Sequence, residues 1–152
     1  MRETLFNWLR PVIAGADCLD LYAGTGVLGF EALSQGAAAA VMVENDGALC
    51  EKLREQAGRL GADNLEIVQA DARQWLQKSS RRFDIVFLDP PFAKGLVEKT
   101  CQDLLDYGTL NKGGLVYAES EPGLEIQVPG LEQIKAGRAG RVQYRLLQYQ
   151  RE

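Results

Sequence analysis

The sequence predicts an α/β fold with a mostly parallel sheet, helices on both faces and an antiparallel hairpin at one edge. Three observations predict it. Runs of β-type apolar residues alternate with segments of helical spacing from Cys18 to Glu119, and alternation of that kind builds parallel sheets. The run Phe83–Leu88 is apolar almost throughout, as a strand covered on both faces must be. After Pro122 the rhythm changes to short β-prone pieces. Two closely spaced strands at that end pair antiparallel, since a parallel pair needs a long crossover.

Each element has its own warrant. The start, through Leu9, has an amphipathic helical pattern. Cys18–Tyr22 reads as the first strand, Gly26–Ser34 as a helix and Ala39–Glu44 as the second strand. Asp46–Leu60 has helical spacing that puts Leu49, Leu53, Ala57 and Leu60 on one face. Leu65–Gln69 is a third strand. Ala72–Gln77 is a short helix, with Asp71 in place to cap it. Gly95–Leu105 is helical, Asn111–Gly114 is a turn and Leu115–Glu119 is the fifth strand. Val142–Tyr149 is a clear last strand.

Bulk properties narrow the function classes. A chain of 152 residues is most simply one domain, here 1–152. No apolar run is long enough to span a bilayer and no signal peptide is visible. Three widely spaced cysteines and no histidine argue against zinc or any other metal and for reduced thiols in a cytoplasmic protein. The formal charge of −4 opposes a general coat for nucleic acid. It leaves room for local basic faces at Lys78, Arg81 and Arg82, and at Lys135, Arg138, Arg141 and Arg145. A solvated edge explains either group equally well.

Two motifs carry chemistry. Gly24-x-Gly26-x-x-Gly29 follows a strand and opens a helix, the context a nucleotide-binding turn requires. Glu44 ends the next strand, about twenty residues on, where an acid can accept both ribose hydroxyls. That combination suits a dinucleotide or S-adenosylmethionine. Asp20 separates them: a carboxylate ahead of the turn repels a pyrophosphate but can hold the ammonium of a methionyl group. Asp71, followed by Ala72, stands at a third strand end. It can receive an adenine amine, or serve only as the helix cap.

The second motif is Asp89-Pro90-Pro91-Phe92, at a fourth strand end. In open α/β sheets that is where ligands bind. The prolines hold the backbone extended. Phe92 can stack on a base. Asp89 and the Pro90 carbonyl can accept both hydrogens of an exocyclic amine. Such an amine is a poor nucleophile while its lone pair is delocalised into the ring, and hydrogen bonds that favour its pyramidal form free that pair. Proximity to a sulfonium methyl then supplies much of the rate.

Together these motifs resemble class I S-adenosylmethionine-dependent methyltransferases that act on exocyclic amines. The segments Arg2–Leu9, Leu19–Gly29, Glu31–Ser34, Asp89–Phe92, Tyr117–Ser120 and Tyr144–Leu146 resemble, more closely, the bacterial RsmD family. That resemblance covers nearly the whole chain. It implies a Rossmann-like, seven-stranded sheet with the last strand inserted antiparallel. It also implies methylation of the guanine N2 amine of one nucleotide in 16S ribosomal RNA, free or in an assembling small subunit; a monomer is the expected state, though no residue pattern argues for it.

The resemblance assigns Asp20, Tyr22, Ala23, Gly24, Thr25 and Gly26 to the methionyl part of S-adenosyl-L-methionine. It assigns Glu44, with Asn45 beside it, to the ribose, Asp71 and Ala72 to the adenine, and Asp89–Phe92 to the target guanine. Family members carry a glycine- and arginine-rich segment before the opening helix. The sequence starts at that helix, so a basic piece that aids RNA binding is expected to be missing from it. Three other functions compete: a DNA amino-methyltransferase, an NAD-dependent oxidoreductase, and a domain that binds the cofactor without turnover. The first usually carries a recognition domain for which there is no room here, and Asp20 and Asp89 count against the second.

Overall fold

A computed structural model describes residues 2–90 and 95–150, so Pro91 and Phe92 lie outside the described residues. The elements are α1 (Arg2–Leu9), β1 (Asp17–Leu21), α2 (Val27–Ser34), β2 (Ala39–Glu44), α3 (Gly47–Leu60), β3 (Leu65–Gln69), α4 (Ala72–Lys78), β4 (Phe83–Leu88), α5 (Leu96–Asp106), β5 (Leu110–Ser120), β6 (Leu131–Ala139) and β7 (Val142–Tyr149). They form one seven-stranded sheet in the order β3-β2-β1-β4-β5-β7-β6. All pairings are parallel up to β5, and β7 joins β5 and β6 antiparallel.

Local chemistry sets the helix starts. Asp46 accepts from the amides of Ala48 and Leu49 and caps α3, while Gly61 ends that helix in the left-handed region. Asp71 accepts from the Gln74 amide and caps α4. Buried α3 side chains centre on Cys50 and Leu53 rather than on the wider face the spacing predicted: Leu60 is exposed.

Alternation along the strands divides the core. Leu19, Leu21, Val86, Leu88, Val116 and Ala118 face α4 and α5, packing with Leu76, Cys101 and Leu104. Cys18, Ile85, Phe87, Leu115 and Tyr117 face the other way, toward Leu5, Phe6 and Leu9 of α1 and Ala32 of α2. All three cysteines are buried and unbridged.

The predicted turn at Asn111–Gly114 is instead part of β5. Asp84 makes the difference. Its carboxylate accepts from Asn111 Nδ2 at 2.9 Å and from the Asp17 amide at 2.9 Å. This staples β1, β4 and the start of β5 together, and the extra residues are absorbed as a register shift between Phe83 and Ile85.

Candidate active site

Strand order reverses between β1 and β4: the chain runs outward through β2 and β3 on one side and through β5 on the other. The crevice at the carboxyl ends of these two strands is where such sheets bind ligands. Two cavities open there. One of about 240 Å³ is lined by Asp20, Tyr22–Thr25, Val27, Leu28 and Asp89. The other, about 620 Å³, includes Tyr22, Gly24, Glu44, Asn45, Asp71, Ala72 and Asp89 in its wall. Asp89, Tyr22 and Gly24 belong to both.

The glycine turn is built by close approach. Gly26 has φ +76, and a Cβ there would lie 2.6 Å from Leu53 Cδ2 and 2.8 Å from Phe30 Cε2. It shapes the turn from behind and is absent from both cavity walls. Gly29 lets α2 settle on β1: its amide donates to Asp20 Oδ2 at 3.0 Å, and a Cβ would meet Met42 Cε at 2.5 Å. Glu44 is tied into the same turn. One of its oxygens accepts from the Gly24 amide at 2.8 Å and the other from the Asp46 amide at 2.9 Å. A carboxylate fixed through both oxygens by backbone donors still has lone pairs to offer a diol.

Asp20 is 3% exposed and has no cationic partner among the described residues. Loss of water raises its carboxyl, the Gly29 amide opposes the rise, and Asp89 and Glu44 add to it. The group ends at about 8. Asp89 is open to solvent on one side, yet protein atoms close round the rest. Desolvation, followed by the negative charge of Glu119, pushes its carboxyl up to about 6.

Asp71 spends one oxygen on the α4 cap at 3.0 Å and lies on the wall of the larger cavity beside buried Ala72. Pro90 is buried next to Asp89.

The sequence singled out Tyr22 but neither its strained backbone nor its hydroxyl partner, and it passed over Arg73 and Leu96. Tyr22 has φ +59, costly for a side chain of its size. Its hydroxyl pairs with Thr100 Oγ1 at 3.0 Å. Since that hydroxyl already donates to the Leu96 carbonyl, Tyr22 is the donor. Arg73 and Leu96 also line the larger cavity, and Arg73 is held from α5 by Asp103 at 2.5 Å. Position alone signalled these, since both follow strand ends. The long-range partners, Thr100 and Asp103, leave no local trace.

The two basic groups part company. Arg81 pairs with Glu66 at 3.2 Å and lies over the Phe83 ring, at the amino end of β4 and so away from the crevice. Arg145 is a correction: it is 4% exposed, and its guanidinium donates to Ser120 Oγ and to the Leu124 carbonyl. It braces the chain after β5 and is unavailable to an outside phosphate. Arg138 and Arg141 are exposed at the tip of the β6–β7 hairpin. That tip is at the crevice end, because Gln143 pairs with both Ser120 and Arg138.

A reversed last strand, a glycine turn after β1 and acids at successive strand ends define a class I methyltransferase fold. A family model described as Conserved hypothetical protein 95 matches residues 1–148. Ribosomal RNA small subunit methyltransferase D from Escherichia coli K12 is 45% identical across 100% of this chain and 77% of that protein. Its namesake from Buchnera aphidicola (Acyrthosiphon pisum) is 38% identical across 85% of this chain and 68% of that one. The solved structure of yhhF from Escherichia coli has a TM-score of 0.95 and 43% identity, covering 99% of this chain and 86% of that one. The chain belongs to this family, the RsmD family.

Proposed function

We propose that this protein transfers a methyl group from S-adenosylmethionine to the exocyclic N2 amine of a guanine in 16S small-subunit ribosomal RNA. The observation that carries the reading is the shared cavity of Asp20 and Asp89. One acid there suits a cationic ligand end, and the other suits an amine that must be held against it. The names of the relatives support ribosomal RNA as the substrate.

The residues fit the cofactor. Asp20, with no cation beside it among the described residues, would hold the ammonium. Glu44 would take the ribose hydroxyls, and Asp71 with Ala72 would border the adenine. When bound, S-adenosylmethionine supplies an electrophilic methyl on a sulfonium. The rest of the chemistry belongs to the protein. Asp89 and the Pro90 carbonyl accept the two amine hydrogens and turn the nitrogen lone pair out of conjugation. Asp89 then receives the proton that the methylated amine must lose, and passes it to water. A group at about 6 is ionised at neutral pH and can accept that proton. The target base must leave its stack to reach the crevice.

Radiolabelled methyl transfer to unmodified small-subunit RNA, free and protein-bound, tests this, with mapping of the modified base. Asp89→Ala should lower the rate by about 100-fold or more while leaving cofactor affinity within a few-fold. A variant with undiminished activity would remove Asp89 from the chemistry.

A further inference from the structure

We propose that Glu119 reads the N1–H of the target guanine and thereby sets the base specificity of the Asp89 site; this rests on the guanine-N2 reading above. The register of β4 on β5 pairs Phe87 with Tyr117 and Leu88 with Ala118. Carried one residue past that last pair, the register sets Asp89 opposite Glu119, about one strand spacing of 5 Å away, and the Glu119 charge is felt at Asp89. Alternation turns both toward the face that carries Phe87 and Tyr117. Glu119 is therefore a second acid at the crevice, one strand away from the acid that lines both cavities.

Its orientation is fixed from beneath. Tyr117 is 1% exposed, and its hydroxyl donates to Glu119 Oε2 at 2.8 Å. The Tyr117 ring lies 6.5 Å from that of Tyr144, which in turn lies 5.5 Å from Trp8 of α1. The other carboxylate oxygen, Oε1, has no hydrogen-bond partner among the described residues. A neutral acceptor would satisfy Tyr117 equally well. A carboxylate beside Asp89 adds like-charge repulsion, and its charge is one cause of the raised Asp89 carboxyl. A ligand with donors for both acids relieves that repulsion.

Guanine has such an edge. N1–H and N2–H₂ are adjacent donors, so two acceptors side by side match it. Adenine and cytosine place a ring nitrogen lone pair next to their amine. Opposite Glu119 that lone pair would face an anion. Specificity of this kind comes from unpaired or repelling groups against the wrong base.

The experiment compares wild type, Glu119→Gln and Tyr117→Phe on RNA carrying either guanine or 2-aminopurine at the mapped site. 2-Aminopurine keeps the amine but has an acceptor at N1. Wild type should prefer guanine by about 10- to 100-fold in kcat/KM. Glu119→Gln offers N1 a donor, so it should lose activity on guanine, gain on 2-aminopurine and collapse that ratio. Tyr117→Phe should shrink the ratio by less. Thermal melting and cofactor binding, both expected near wild type, separate this from a folding defect. An unchanged ratio in Glu119→Gln overturns the inference, even if its Tm falls. Methylation by wild type of a base other than guanine overturns the functional reading and this one together, and base mapping distinguishes that outcome.

Discussion

The wing built from β3, β2 and β1 and the wing built from β4, β5, β7 and β6 meet in one crevice, but they place their groups differently. In the first wing the candidate acids at the strand ends also accept backbone amides of the turns and helix starts beside them. Asp20 accepts from Gly29, Glu44 from Gly24 and Asp46, and Asp71 from Gln74. In the second wing, groups distant in sequence are brought together by strand register. The register of β4 on β5 brings the Asp89 and Glu119 positions to neighbouring strand ends, and Arg145 reaches back to Ser120 and Leu124. A carboxylate that accepts backbone amides of the turns and helix starts around it is held by them; a side chain whose partner stands on another strand is placed only by strand order and register.

The largest expected effect that would sharpen this contrast is at Asp20. Asp20→Asn keeps an acceptor for Gly29 but cannot take on the negative charge that a bound ammonium would draw from the carboxyl, so S-adenosylmethionine should bind about 10- to 100-fold more weakly. Stability should move the other way. The folded carboxyl titrates at about 8, above its ordinary 3.8. The folded state thus holds a proton that the unfolded chain has lost, and wild-type stability declines as pH rises through that window. Asn cannot ionise. The variant should match wild type near the bottom of the window and melt several degrees higher at its top. Equal Tm differences at both ends would remove the cost assigned to Asp20.

Gly26→Ala comes next. It combines a left-handed φ with contacts of 2.6 and 2.8 Å. It should cost about 2–4 kcal/mol, a fall of at least about 5 °C in Tm. A neutral outcome in thermal melting would mean that the turn is less constrained than its geometry requires.

The smallest effect belongs to the second wing. The hairpin tip, between β7 and β6, stands two to three strand spacings from β4, about 10–14 Å. If Arg138 and Arg141 contact phosphates, replacing both by Gln should weaken RNA binding a few-fold and reduce the log–log salt slope by about 1.5. An unchanged slope returns them to a solvated edge.

Legibility follows the same division. Periodicity located the strands Ala39–Glu44, Leu65–Gln69, Phe83–Leu88 and Val142–Tyr149 at their observed bounds, because burial on one or both faces writes itself into consecutive residues. β6 carried no such signal: most of it is exposed, and Gly137 sits where a Cβ would meet the Tyr144 ring at 2.5 Å. Asn111–Gly114 looked like a turn because nothing local reveals that Asp84 will hold it in a strand. Arg145 looked like a surface cation because its acceptors come from residues 20 or more positions away.

The sequence by itself determined the α/β class, the glycine turn, the capping acids and the strand-end position of Asp89. Each depends on backbone geometry over a few residues, which side-chain type controls directly. Only the tertiary structure decided which acids share a cavity, which arginines face outward, and that Glu119 stands beside Asp89. Those facts depend on strand order and register, which are fixed by burying two faces of one sheet at once.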